Sequence, residues 1–270
     1  MNGKYGFPLC IQLVPPDDIY GDKEFADTLE LLKEKGFYGV ELNITDFQGI
    51  DPEKLKVFLA SYNLKMTMIA SGVFAKKNGL SLSSADETIR KKTVDAFDQM
   101  VRFAKKMNAG IICGFIKGGA GEDVQTALTQ MQKSVRELKE KYGSEKVNIY
   151  LEATNHYEAT LINRVDEGIA LAGDPSGIIK VLPDTYHMNI EESSMTAAMV
   201  GGKDYYHNIH ISDNNRFFPG FGAIDFYQVM SLLKQMNYTG TISIEGRNQN
   251  ALNDDIAKSC SYLEEIGKRL

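Results

Sequence analysis

The chain has 270 residues, of which 43% are hydrophobic and 24% charged, and it carries a net charge of -6. At roughly 100–200 residues per domain this length permits one large domain or two small ones, with a sizeable interior in either case. The acidic balance disfavours nonspecific attraction to nucleic acid or anionic membranes, and no apolar run approaches the roughly 18 residues of a membrane span.

The N-terminal stretch "MNGKYGFPLCIQLVPPDD" reads as a first strand, 8–14, and not as a signal peptide. Phe25, Leu29 and Leu32, before Gly36, have helical spacing. β-rich runs follow at 38–43 and 65–70. A helix is predicted from a capping box of Ser84 and Glu87, with Val94, Phe97, Val101, Ala104 and Met107 on one side. After the run 109–115 comes the clearest stripe, Val124, Leu128, Met131, Val135, Leu138 and Tyr142, stopped by Gly143. Runs at 147–152, 178–184 and 208–212 come next, with Glu191 and Glu192 expected to open a solvated helix. Asp225 caps a helix carrying Phe226, Val229, Leu233 and Met236; the last strand is 240–246, and Ile256, Cys260 and Leu263 mark a final helix. The three cysteines, Cys10, Cys113 and Cys260, lack metal-type spacing and suit free, buried thiols in a reducing compartment, so a cytoplasmic location is expected.

Strands apolar on both faces, each followed by an amphipathic helix, imply a parallel sheet covered by helices. Eight such units in 270 residues match a (β/α)8 TIM barrel. An open doubly wound sheet is the rival, but no strand leads into a Gly-x-Gly-x-x-Gly turn, and "IKGGAGED" (116–123) lacks the Lys-Ser/Thr of a P-loop. With no linker or composition shift, residues 1–270 are assigned to one α/β domain.

In such a barrel the loops at the C-terminal strand ends build the active site. Glu152, Asp184 and Glu245 end the fifth, sixth and eighth runs, and His210 lies near the end of the seventh. Taken singly, a strand-end carboxylate is more often a salt-bridge partner or helix cap than a ligand. Four polar groups on successive strands converge on one point, and crowding three negative charges there costs several kcal/mol unless they share a cation. Oxygen ligands with one nitrogen suit Mn²⁺, Mg²⁺ or Co²⁺. Glu41 ends the second run and is read as a supporting or structural group. His187 is placed on the loop after Asp184, facing what the metal binds, and His156 and His207 are read as structural or solvated.

The segments "LEATNHYEATLIN" (151–163), "DTYHMNIEE" (184–192), "HISDNNRFFPGFGAIDF" (210–226) and "SIEGR" (243–247) resemble the xylose isomerase-like TIM barrels, particularly the ketose 3-epimerases that act on D-tagatose and D-psicose. The likeness is strong over the second half of the chain and extends to "LSSADETIRKKTVDAF" (82–97) in the first. It implies one divalent ion, Mn²⁺ first, with Mg²⁺, Co²⁺ or Zn²⁺ as other choices, held by Glu152, Asp184, His210 and Glu245. It implies Glu152 and Glu245 as acid and base, and Glu158, His187 and Arg216 on substrate oxygens. The reaction implied is metal-dependent C3 epimerisation of a ketose through an enediolate, which needs a carboxylate on each face of the substrate. Two departures bear on this. Family members often carry His-x-His where this chain has Asn208 and His210, and the tryptophans that often line the sugar pocket have no counterpart, since the chain has none. Phe74, Phe115, Phe217 and Phe218 are candidates for the pocket walls.

Other outcomes of the same chemistry are an inosose-type dehydratase and a hydroxypyruvate isomerase-like aldose–ketose isomerase. An endonuclease IV-like nuclease would need more metal-binding histidines than the four present, and a non-catalytic sugar-binding relative would not need both glutamates. The partner expected is a small sugar, with neither nucleic acid nor membrane. The resemblance implies a homodimer or homotetramer.

Overall fold

The computed structural model describes residues 4–270. Eight strands, β1 (Leu9–Leu13), β2 (Gly39–Leu42), β3 (Lys65–Ala70), β4 (Gly110–Cys113), β5 (Ile149–Glu152), β6 (Ile179–Leu182), β7 (Asn208–Ile211) and β8 (Thr241–Ile244), form one sheet in the order β6-β5-β4-β3-β2-β1-β8-β7. Every ladder in it is parallel. Each strand lies inside its expected run. The ring closes between β6 and β7 without a full ladder: the Asp184–His210 bridge, with His210 N–H donating to Pro183 O at 2.9 Å and Val181 N–H to Tyr205 O at 3.0 Å, joins the two edges. Two of the four clustered residues therefore sit on the seam of the barrel.

The helices are α1 (Lys23–Lys35), α2 (Pro52–Ser61), α3 (Gly72–Asn78), α4 (Glu87–Met107), α5 (Val124–Tyr142), α6 (Val165–Ala172), α7 (Thr185–Glu191), α8 (Met195–Gly201), α9 (Phe226–Gln235) and α10 (Leu252–Gly267). Aspartates 22, 51, 86, 123, 184 and 225 cap six of them by accepting first-turn N–H groups. α1 ends on Gly36, whose φ of 75° favours a residue without a Cβ. No helix among the described residues is long and apolar enough to cross a membrane.

The structure corrects four local expectations. α4 is capped by Asp86, not Ser84: the Ser84 hydroxyl accepts from Asp86 N–H, and Glu87 turns away from the cap to clasp Arg90. A neighbouring aspartate and a buried arginine outcompete the capping box. Val124 is exposed and Leu128 only half-buried, because α5 presents Ala127, Gln130, Met131, Ser134, Val135, Leu138 and Tyr142 inward. Ser134 there accepts from the buried Arg90 and donates to Leu82 O, so a polar seam displaces the expected apolar stripe. Glu191 and Glu192 close α7 instead of opening a helix, and both accept from backbone N–H groups, of His156 and Val165 respectively. His187 lies within α7, not on a loop, because Asp184 starts that helix two residues after the strand ends. All three cysteines are buried and free.

Candidate metal centre

Glu152 is the last residue of β5, Asp184 caps α7, His210 is the third residue of β7 and Glu245 follows β8. One ligand atom from each lies within 4.8 Å of the other three. His210 Nδ1 is 3.1 Å from Glu245 Oε2, 3.7 Å from Glu152 Oε1 and 3.8 Å from Asp184 Oδ2. His210 and Asp184 are fully buried, Glu152 nearly so and Glu245 half-buried, so the cluster is open to solvent on one side only.

The ring of His210 is aimed by a chain of hydrogen bonds across the barrel interior. Its Nε2 meets Glu41 Oε2 at 2.9 Å, Glu41 Oε1 accepts from Asn208 Nδ2 at 2.6 Å, and Asn208 Oδ1 accepts from Thr241 Oγ1 at 2.7 Å. With Nε2 engaged by Glu41, Nδ1 is the nitrogen aimed at the carboxylates and the one available to an ion. Glu41 is thus the outer partner of a candidate ligand, and Asn208 holds it. His207 takes no part. Burial works against a charged imidazole, but Glu41, then Glu245 and Glu152, hold the His210 pKa well above its ordinary value. Burial likewise opposes ionisation of Glu245, yet Arg216 and His210 keep its carboxyl well below the usual range.

Arg216 stands at φ 66°, a left-handed conformation uncommon for a residue with a side chain. The loop that imposes it is organised by Asp213, which accepts from the N–H groups of Gly220, Gly222 and Ile224 at 3.1, 2.8 and 2.9 Å. The guanidinium then reaches Asp184 Oδ2 at 2.6 Å, the Ser212 hydroxyl at 3.0 Å and Glu245 Oε2, with the Tyr186 ring 5.0 Å away. His187 Nδ1 accepts from Asn155 Nδ2 at 2.7 Å and from Asn155 N–H at 3.2 Å. Its proton therefore sits on Nε2, 3.8 Å from Glu152 Oε1. Asn155 also donates to Glu158 at 3.1 Å, tying two expected substrate contacts together.

Sequence reading missed Lys117. It is buried in the 3-10 turn Phe115–Lys117 after β4, and its ammonium donates to Glu152 O and Thr154 Oγ1, both at 2.5 Å, and to Ile162 O at 3.3 Å. Desolvation lowers its pKa to about 8, against the pull of Glu152. The turn lies in the glycine-rich "IKGGAGED" stretch, and the signal was a lysine in an otherwise apolar strand-end segment. Asn155 gave no comparable signal.

A cavity of about 520 Å³ opens over the cluster, with Glu152, Glu158, His187, Arg216 and Glu245 on one side and Gln12, Asn43, Lys76 and Phe115 among those on the other. Asp184 and His210 lie beneath it. Of the aromatic candidates only Phe115 lines the cavity; Phe74 is buried against Phe47, Phe218 is buried, and Phe217 pairs through its backbone with Arg247. Three carboxylate oxygens and one imidazole nitrogen, gathered in a buried pocket with the second imidazole nitrogen already engaged, fit a divalent cation.

An eight-stranded parallel barrel with a carboxylate–histidine cluster at its C-terminal mouth is a TIM-type α/β barrel whose site could hold a metal ion. Within it, the family model of the xylose isomerase-like TIM barrel matches residues 29–266, and the chain belongs to that family. It is 27% identical over 250 residues to an L-ribulose 3-epimerase from Mesorhizobium japonicum, covering 90% of this chain and 82% of the relative. Among solved structures, the apo form of a 3-keto-D-glucoside 4-epimerase from E. coli superposes with a TM-score of 0.79 at 20% identity, covering 96% of this chain and 99% of that one. A D-allulose 3-epimerase from Methylomonas sp. in complex with D-allulose gives 0.75 at 22% identity, covering 98% and 97%.

Proposed function

We propose that the protein is a divalent-metal-dependent sugar epimerase that inverts C3 of a ketose, with Glu152 and Glu245 as the acid–base pair. The observation that carries this reading is that both glutamates line one cavity, on strands separated around the ring by β6 and β7, and both belong to the four-residue cluster. Its likeness to an L-ribulose 3-epimerase over nine-tenths of the chain supports the same reading.

A proton on carbon beside a ketone is removed as charge moves onto the carbonyl oxygen. Inversion requires one base to take it and a second acid, on the other face, to return one. Glu245 is held ionised by Arg216 and His210 and is assigned as the proton acceptor. Glu152 lies beside the Nε2–H of His187 at 3.8 Å and is fixed through its backbone carbonyl by Lys117. Glu158, His187 and Arg216 are assigned to the substrate oxygens, and Arg216 and His187 donate to developing negative charge. Glu152, Asp184, His210 and Glu245 would hold Mn²⁺, or Mg²⁺, Co²⁺ or Zn²⁺ in its place. The bound ion would supply Lewis-acid polarisation of the ketone and offset the three carboxylates.

The test is incubation of Mn²⁺-loaded protein in deuterated water with a panel of ketoses and one 3-keto-glucoside, read by NMR. The reading predicts deuterium at C3 of a ketose together with its epimer. An absorbing enone or dione would make the protein a dehydratase, and exchange at C1 with aldose formation would make it an aldose–ketose isomerase. Either result overturns the proposal.

A further inference from the structure

The side of the cavity built by β1–β4 carries a group that the mechanism does not use. Gln12 is the register partner of Glu41 in the β1–β2 ladder and so projects toward the same inner face. Its Oε1 accepts from Asn43 Nδ2 at 2.7 Å. Asn43 in turn has its Oδ1 near the Val73 N–H, at 3.4 Å, so Asn43 presents its amide N–H to Gln12. This fixes which way the glutamine amide faces and leaves Nε2 as the free end. That Nε2 is buried and has no hydrogen-bond partner. The other such side-chain atoms among the described residues are on Tyr20, Gln130, Ser243 and Ser259, none of which lines this cavity, whereas Gln12 does. A buried donor without a partner is costly to keep, and a site that receives a ligand is where it can be offset.

Resting on the epimerase reading, we propose that Gln12, held by Asn43, is a specificity-determining residue whose amide N–H donates to a sugar hydroxyl beyond C4. The acid–base pair and the cluster occupy the β5–β8 side. A ketose whose C2 and C3 oxygens face them extends its remaining carbons toward β1–β4, where Ala70 and Ile112 offer apolar surface and Gln12 a donor. The substrate class that uses this donor is a ketose of five or six carbons. A four-carbon ketose has the reacting atoms but not the hydroxyl that reaches Gln12.

The experiment compares KM and kcat of the Mn²⁺-loaded wild type and of Gln12→Met, a near-isosteric change without the donor, using erythrulose, ribulose and fructose. Thermal midpoint and Mn²⁺ stoichiometry report that the variant is folded and loaded. The expected result is a KM rise of about tenfold for fructose or ribulose, the scale of one lost hydrogen bond, with less than about a twofold change for erythrulose. kcat on erythrulose stays the same. As a check that does not need the variant, wild type should show the same rise for one deoxyketose lacking the contacted hydroxyl, and Gln12→Met should not discriminate against that sugar. An equal KM change for all three sugars, or none, overturns the assignment while leaving the epimerase intact. A wild type that epimerises no ketose overturns the epimerase reading itself, and this assignment with it.

Discussion

The two sides of the barrel mouth share one cavity and are built from opposite chemistry. β5–β8 contribute Glu152, Asp184, His210 and Glu245, a dense set of charges whose neighbours, Glu41, Asn208, Asn155 and Lys117, are each tied by hydrogen bonds. β1–β4 contribute mostly small, neutral or apolar groups, with Lys76 as the cation, and one amide whose donor is free. The charged side is closely tied: Arg216 bonds both Asp184 and Glu245, and His210 lies between Glu41 and Glu245. The neutral side touches the charged one at a few points, through Glu41 on His210, Lys117 on Glu152 and the close approach of Gly114 to Glu152, and Gln12 and Asn43 stand apart from these. Under the proposed epimerase reading, the β5–β8 half would carry the proton transfer and Gln12 on β1 would select the sugar.

The largest effect that would break this division is loss of the acid–base pair. Glu245→Gln and Glu152→Gln should each lower kcat by about 10²–10⁴-fold, the scale of general acid–base catalysis, in a steady-state assay of ketose epimerisation. Unchanged turnover in either variant would remove that glutamate from the pair. Next in size is Glu41→Gln. It leaves His210 aimed with a weaker partner and should weaken divalent-metal affinity by about 10–100-fold, as outer partners of metal-bound histidines commonly do, measured by calorimetry. The Gln12 series sharpens the comparison from the other side, since its effect should fall on the KM of the five- and six-carbon ketoses and spare erythrulose.

The smallest effects lie away from the mouth. Arg90 is buried between α4 and α5, with Ser134, Glu87 and Glu137 on its guanidinium. Arg90→Met should cost about 1–3 kcal/mol in chemical unfolding, from the hydrogen bonds left unmade, without altering metal stoichiometry. The hydrogen bond from Arg90 depresses the Glu87 pKa from 4.5 to about 2. A carboxyl depressed in the folded state contributes stability above its unfolded pKa and loses it as pH falls through the folded one. Wild type should therefore lose a stability increment between pH 4.5 and about 2 that Arg90→Met lacks, read from the difference between their pH–stability curves.

How much could be read from the chain follows the same division. All eight strands were legible because β-rich runs separated by helical stripes repeat at a regular interval, and the four clustered residues because each stands at or near the end of such a run. The capping box at Ser84 misled because Ser84 and Asp86 compete for one helix start and Asp86 takes the cap. The stripe on α5 misled because Ser134 and Gln130 are buried as polar partners, which periodicity counts as surface. Glu41 showed at a strand end, but its partner, 169 positions away in sequence at 2.9 Å, could be found only once the ring was closed. Gln12 was invisible, and the signal at Lys117 easy to pass over, for a related reason: a lysine or a glutamine takes its meaning from the groups around it, and those arrive from other strands.

The central claim is that Glu152, Asp184, His210 and Glu245 bind one divalent ion at the barrel mouth. The direct measurement is Mn²⁺ titration of metal-stripped protein by calorimetry, with bound metal counted after dialysis, in wild type and in His210→Ala. One tightly held ion per chain is expected, with loss of that ion in the variant. No tight binding in the wild type, or an ion retained undiminished by His210→Ala, would contradict it.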